Sequence, residues 1–315
     1  MPTITLKIDV DTYRGSREGT PNLARLLGQY KANATFLFSL GTDHTGWALR
    51  RALRPGFFQK VSRTSVLEHY GLKTLMYGVL LPGPDIGKTC ATQLRAVAAA
   101  GFECGIHTWD HVVWQDNVRH RGAAWTQQQM KKAYDCYTRI FGIAPHTHGA
   151  AGWQMNPTAF ATEDSWNFAY ASDGRAQLND DGSLVNPTSG PYRISIDGQL
   201  KTCIQLPTTL PTLDELLGRT IAGTEIGLHN IAAHILKLTK QPRDHVFTLH
   251  AELEGQKLAP IFEELLIGWK KQGYEFSSMG EYYATLVKNN AIADLPSHAL
   301  QWAQLPGRSG DLITV

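Results

Sequence analysis

The sequence predicts an α/β protein in which parallel strands alternate with helices, as an α/β barrel or a doubly wound sheet. Two observations carry that expectation. Short β-branched or aromatic runs recur between segments whose apolar residues fall at helical spacing, with no internal repeat. A chain of 315 residues, 43% hydrophobic and 18% charged, is also long and apolar enough for one large core or two modest ones. In either architecture ligands gather at the carboxyl ends of the strands.

The elements follow in order. Residues 3–10 alternate, with Ile4, Leu6, Ile8 and Val10 on one face and Thr5, Lys7 and Asp9 on the other, a face that continues to Asp11. Both acids therefore leave the strand on one side. After a Gly/Thr/Pro turn, Leu23, Leu26, Leu27 and Tyr30 give residues 21–30 helical spacing, and ATFLFSL (34–40) is a second strand, completing a βαβ unit. Residues 89–100 form an Ala-rich helix before a strand over 102–106. Residues 126–141 read as a helix capped by Thr126, and 168–171, 202–206 and 246–249 as strands. A helix over 260–272, ended by Gly273, precedes a closing strand over 274–277.

Composition narrows the function. A formal charge of +2 gives no ground for a nucleic-acid partner. Twelve histidines are more informative, since imidazole is both a common metal ligand and a common acid-base group. Cys90, Cys104, Cys136 and Cys203 make no CxxC pair and read as reduced, buried thiols. MPTITLKID enters a strand pattern with no basic and apolar leader ahead of it, so a cytosolic protein is expected. The uncharged stretch 74–84 is too short to span a bilayer, and 141–162 carries His146, His148, prolines and glycines.

Three polar clusters follow predicted strands. KIDVDT presents Asp9 and Asp11 together. GIHTWDH carries His107 and His111 four apart, so that a helix begun after the strand would aim both at one cation. One carboxylate and two imidazoles make an open three-ligand site for a catalytic divalent ion. If Asp11 is the ligand, Asp9 is free to act as a base on water. The alternative for the acids is a solvated turn or a helix cap. VFTLHAELEG delivers His250 at a strand end, where it could be a third ligand, a core histidine or a general acid; the last is the economical reading beside two assigned imidazoles.

In this order DVDT, HTWDH, HTHGAAGW, YASDG and TLHAE resemble the five successive motifs of the NodB-homology polysaccharide deacetylases, carbohydrate esterase family 4. PNLARLLGQYKANATFLFSLG and GYEFSSMGEY resemble the family's first helix with its second strand and its closing strand with its last helix, so the likeness covers residues 3–283, nearly the whole chain. The resemblance implies a distorted (β/α) barrel of about seven parallel strands and one divalent metal ion (Zn, Mn or Co). It implies Asp9 as catalytic base, Asp11, His107 and His111 as metal ligands, His250 as general acid, and Asp173 as the acid that orients His250. The chain departs from the family in the third motif. His148 stands where an arginine usually tethers the base, and Ala150 where a proline is usual; Gly152 and Trp153 follow. Arg175 is the candidate replacement anchor, and His148, Arg175 and Trp153 are expected behind the first ligands or against substrate.

Within the family, DVDT, HTHGAAGWQMN and LHAELEG are most similar to the branch that removes the formyl group from 4-deoxy-4-formamido-L-arabinose on undecaprenyl phosphate. That is a cytoplasmic-face step in lipid A modification and polymyxin resistance. A polyprenyl carrier implies a membrane-facing entrance, and the insertion 43–87 is the candidate. Between Arg50 and Lys73, Arg50, Arg51, Arg54, Lys60, Arg63 and Lys73 outnumber the lone acid Glu68, interleaved with Trp47, Leu49, Leu53, Phe57, Phe58 and Leu67. The expectation is peripheral contact with the anionic inner face of the inner membrane; the alternative is a solvated helical hairpin. Residues 1–285, with that insertion, are expected to form the barrel and 286–315 a loosely packed extension. His229 and His234 read as surface or rim groups, and Glu252 and Glu254 as cleft-lining or as the start of the next helix. Two alternative functions remain: deacetylation of another N-acylated sugar, peptidoglycan or chitooligosaccharide, and a catalytically silent sugar- or lipid-binding module.

Overall fold

The computed structural model describes residues 1–48, 72–305, 308 and 311–315. Most of the basic insertion, residues 49–71, therefore lies outside the described residues, as does the expectation resting on it.

The alternation read in the sequence becomes a closed ring of seven staves. Strand β1 (Thr3–Val10) buries Ile4, Leu6, Ile8 and Val10 completely. It pairs in parallel with β2 (Thr35–Ser39), which pairs in parallel with β3 (Glu103–Thr108). An extended segment over 147–149 is next, since Ile106 N–H donates to the Thr147 carbonyl and Gly149 N–H to that of Ile106. Ser172 N–H donates to His148 O at 2.8 Å, leading to β4 (Tyr170–Ala171), which lies parallel to β6 (Gln199–Gln205). Thr209 N–H donates to Val246 O at 2.9 Å, and β7 (His245–His250) returns in parallel to β1, with Asp9 opposite His250. Outside the ring, β8 (Glu275–Ser277) adds to the first residues of β1, and β5 (Tyr192–Ile196) forms an antiparallel hairpin with β6.

Helices α1 (Thr20–Tyr30), α2 (Ala91–Ala99), α4 (Ala123–Phe141) and α5 (Ala259–Lys271) cover the apolar face of β1 to β3 and β7. Leu23, Leu27, Leu94, Tyr137, Leu265 and Trp269 pack there in one buried cluster with Phe36, Phe38 and Phe247. Between them, α3 (His111–Asn117) follows β3 directly, with Asp110 as its cap: a side-chain oxygen accepts from Val113 N–H at 3.1 Å. Among the described residues no helix is long and apolar enough to cross a membrane.

Two local expectations need correction. α4 starts three residues early, after Gly122. Thr126 is buried inside it, with its hydroxyl taken by the Asn156 amide at 2.8 Å, so it is a packing residue and not a cap. The described residues after 290 are also not loose. Ser297–Ala299 pairs in parallel with β5, Trp302–Gln304 pairs with Asp311–Ile313, and Leu312 and Ile313 are 1% exposed. Arg175 N–H donates to Ile313 O at 3.0 Å, bringing the terminal strand against the ring.

Candidate active site

Asp11, His107 and His111 converge at the carboxyl ends of β1 and β3. His107 Nε2 lies 3.1 Å from one oxygen of Asp11, and His111 Nε2 lies 3.3 Å from the other. Tetrahedral ligands at zinc distances stand about 3.3 Å apart, so this separation suits an ion between them. Asp11 Oδ1 and His107 Nε2 are buried without a hydrogen-bond partner, as expected of atoms reserved for a cation. The Gly149 carbonyl, 2.6 Å from His107 Nδ1, takes that proton and leaves Nε2 as the ligand. Burial opposes the charge on Asp11, but the imidazoles of His111 and His107, with His250 beyond, outweigh it and hold the carboxyl well below the usual range. The two histidines are not paired on one helix, as their spacing suggested. β3 runs on to Thr108, held by its bridge to Ser39, so His107 is a strand residue and His111 opens α3. Their rings nevertheless stack, with centroids 5.4 Å apart.

Asp9 is 3% exposed, and its second oxygen lies 3.2 Å from the ammonium of Lys7, two residues back on the same face of β1. Lys7 is wholly buried. It reaches Asp9 because residue 149 is glycine: a Cβ there would sit 2.8 Å from Lys7 Cε and 2.4 Å from Leu37 Cδ1. Arg175, the expected anchor, is not at Asp9. It is ion-paired with Glu215, and its guanidinium lies 4.7 Å from the centre of the Trp153 ring. Arg308 lies 4.7 Å and Lys7 5.4 Å from that centre. Trp153, 1% exposed, is thus a shared face for three cations and not a substrate contact.

His148 is not at Asp9 either. Its Nδ1 lies 2.7 Å from Asp173 Oδ1 and 2.9 Å from Glu163 Oε1, in a cluster sealed from solvent. These are hydrogen-bond lengths, and they describe a shared proton. Burial alone would lower the His148 pKa, but Asp173 and Glu163 reverse it and push it up to about 10. Burial pushes the Glu163 carboxyl well up, and His148 lowers that of Asp173 against its own burial. Within the cluster the imidazole is held towards its charged form, and Asp173 is the more acidic of the two carboxyls. Asp173 is consequently not the acid beside His250.

His250 ends β7, directly across from Asp9. Among the described residues, the carboxylate that comes within 4 Å of its ring nitrogens is Asp214, with Oδ1 3.9 Å from Nδ1. Burial depresses the imidazole, yet Asp214, Asp11 and Glu254 together raise its pKa. Glu252 and Glu254 neither line the cleft nor begin a helix: both are buried, and α5 starts only at Ala259. Glu252 accepts from the backbone N–H groups of Asp11 (2.8 Å) and Thr12 (2.6 Å), and Glu254 accepts from that of His250 (2.7 Å). They brace the exit of β1 against the exit of β7. A Cβ on Gly15 would meet Glu252 Oε1 at 2.3 Å, which explains the glycine.

No protein-family profile matches the chain. A protein of Shewanella sediminis named as a probable 4-deoxy-4-formamido-L-arabinose-phosphoundecaprenol deformylase ArnD is 34% identical over 307 residues, covering 98% of this chain and 92% of that one. The chain belongs to the ArnD deformylase family, a family of amide hydrolases. A second ArnD relative, from Wigglesworthia glossinidia brevipalpis, is 30% identical across 94% of this chain and 96% of its own. The fold is shared more widely. A polysaccharide deacetylase of Mycobacterium smegmatis matches with a TM-score of 0.59 at 13% identity over 96% of both chains, and one of Pseudomonas aeruginosa with 0.57 at 13% over 92% of both.

For this ArnD-family chain, sequence reasoning missed Lys7, Glu163, Asp214 and Arg308. Only Lys7 left a signal, the strand alternation that places it beside Asp9. The others arrive from the closure of the ring. His229 is exposed, and His234 bonds the Asp181 carbonyl at 2.7 Å.

Proposed function

We propose that the protein removes the formyl group of 4-deoxy-4-formamido-L-arabinose carried on undecaprenyl phosphate, with one divalent ion (Zn, Mn or Co), in lipid A aminoarabinose modification. The observation that carries this reading is an ion-sized gap between Asp11, His107 and His111 with a spare buried carboxylate, Asp9, beside it, in a chain of the ArnD family.

An ion held there would supply Lewis acidity at the acyl oxygen and a lowered pKa for a neighbouring water. Asp9, fixed by Lys7, takes a proton from the attacking water. Oxygen bonds to the formyl carbon as that proton leaves. His250 gives a proton to the sugar nitrogen as the C–N bond breaks. Formate departs and the free amine stays on the sugar.

A lipid carrier asks for a membrane-facing rim. Val79 and Leu80, 52% and 73% exposed just after the basic stretch, support such a contact with the anionic inner face of the membrane. The protein then works in the cytoplasm at that surface.

The deciding experiment is mass spectrometry of the formamido-arabinose lipid after incubation with metal-loaded protein, with the N-acetyl analogue alongside. Loss of one carbonyl's mass from the formyl lipid is expected, with little change in the acetyl analogue. An unchanged formyl lipid, or preferential cleavage of the acetyl one, counts against the reading.

A further inference from the structure

We propose that Asp214 is the positioning residue that orients His250, and that the C-terminal segment takes part in the active site by holding Asp214 through Arg308. The inference rests on the proposed amide hydrolysis.

His250 is 8% exposed and its Nδ1 is buried with no hydrogen-bond partner. A buried imidazole nitrogen in that state needs an acceptor within reach. The neighbouring acids are committed elsewhere: Asp173 to His148 at 2.7 Å, Glu252 to the Asp11 and Thr12 backbone, and Glu254 to the His250 backbone N–H. Asp214 Oδ1, itself held by Thr212 and Arg308, faces Nδ1 at 3.9 Å. A gap of this size is of the kind that catalytic contacts close once substrate is present.

The carboxylate itself is immobilised. The Thr212 hydroxyl donates to Asp214 Oδ1 at 2.6 Å, and Arg308 Nη2 donates to the same oxygen at 3.2 Å. Arg308 also donates to Thr212 Oγ1 at 2.9 Å and, through Nε, to Glu215 Oε1 at 2.7 Å. Glu215 in turn closes a capping box with Thr212 over Leu213–Leu216. A residue from the end of the chain thus fixes the oxygen that faces the proton donor. With Nδ1–H held by Asp214, Nε2–H is the proton passed to the sugar nitrogen; the C–N electron pair stays on nitrogen and the acyl carbonyl re-forms.

Two measurements on the zinc-loaded full-length protein test this. In the first, Asp214→Asn is assayed on the formamido-arabinose lipid and on 4-nitrophenyl acetate, whose nitrophenolate leaves without a proton. The expected result is a fall in kcat of about 10- to 100-fold on the formamide with KM little changed, ester hydrolysis within about twofold of wild type, and partial recovery in Asp214→Glu. Equal losses on both substrates, or no loss on the formamide, would overturn the proposal. In the second, long-range proton–nitrogen correlation spectra read the His250 ring directly, with no turnover needed. At a pH where the ring is neutral, the Nδ1-protonated tautomer should dominate in wild type and lose that preference in Asp214→Asn. An identical ring signature in both proteins overturns the role of Asp214, whatever the substrate proves to be. Wild-type protein that leaves the formamide intact counts against the substrate alone.

Discussion

Two clusters of imidazole and carboxylate lie on neighbouring staves of this barrel, joined through the Gly149 carbonyl next to His148. In one, Asp11, His107 and His111 hold their ligand atoms 3.1 and 3.3 Å apart, with His111 20% exposed on one side. In the other, His148, Asp173 and Glu163 close to 2.7 and 2.9 Å and are sealed. The residue types are nearly the same, but the first cluster is wider and opens to solvent, while the second is drawn in to hydrogen-bond distance and sealed. Composition and motif order therefore do not by themselves distinguish a metal centre from a proton-sharing core; about 0.4 Å and an opening to solvent do. The same contrast explains the missing arginine of the third motif. His148 turned inward to neutralise two buried acids, and Lys7, threaded past Gly149, took the place beside Asp9.

The contrast can be broken most severely at the first cluster. Replacing Asp11 or His107 with alanine should abolish stoichiometric metal binding and reduce deformylation on the order of a thousandfold or more, read by metal analysis and product assay on the same samples. Asp9→Asn should cost about 100- to 10,000-fold in turnover while the ion stays bound, and Lys7→Met should follow it with a smaller loss of about 10- to 100-fold, largely restored in Lys7→Arg. Full activity in Lys7→Met would remove lysine from the role given to it.

At the second cluster the expected effect is on stability. His148→Gln leaves two buried acids without their cation and should destabilise the fold by about 3 kcal/mol in denaturant titration, with metal content unchanged. Its pH dependence has a definite sign. The imidazole, ordinarily near about 6.5, is raised to about 10 in the folded protein. Its contribution is complete below the unfolded value and disappears as pH climbs through about 10. Wild type should therefore lose more stability than His148→Gln between neutral pH and pH 10. A parallel decline in the two proteins would contradict the shared-proton reading. The smallest effect belongs to the exposed His229: its replacement by alanine should change neither stability, beyond about 0.5 kcal/mol, nor metal content.

Much of the ring was readable because its staves are short runs with clear periods. The alternation of Ile4, Leu6, Ile8 and Val10 against Lys7, Asp9 and Asp11 placed the strand and its two acids, and the LLGQY and TFLFS segments placed the next helix and strand. Less readable was where each element stops. The HxxxH spacing fits one helix, but pairing with Ser39 extends β3 through His107 and leaves the helix to begin at His111. Least readable were partners remote in sequence. Asp214 and Arg308 stand 94 residues apart, and Lys7 and Gly149 meet only because the ring folds motif three over β1. The tail shows the same limit: prolines and glycines suggest looseness, yet its apolar DLI strand is buried by contacts made in three dimensions.

Diffraction from crystals soaked in cobalt, collected at the cobalt absorption edge, is the most direct test of the account. One anomalous peak per chain, set between Asp11 Oδ1, His107 Nε2 and His111 Nε2 with none near His148, is the predicted result. A peak among His148, Asp173 and Glu163, or a first cluster that stays without one at saturating cobalt, would contradict it.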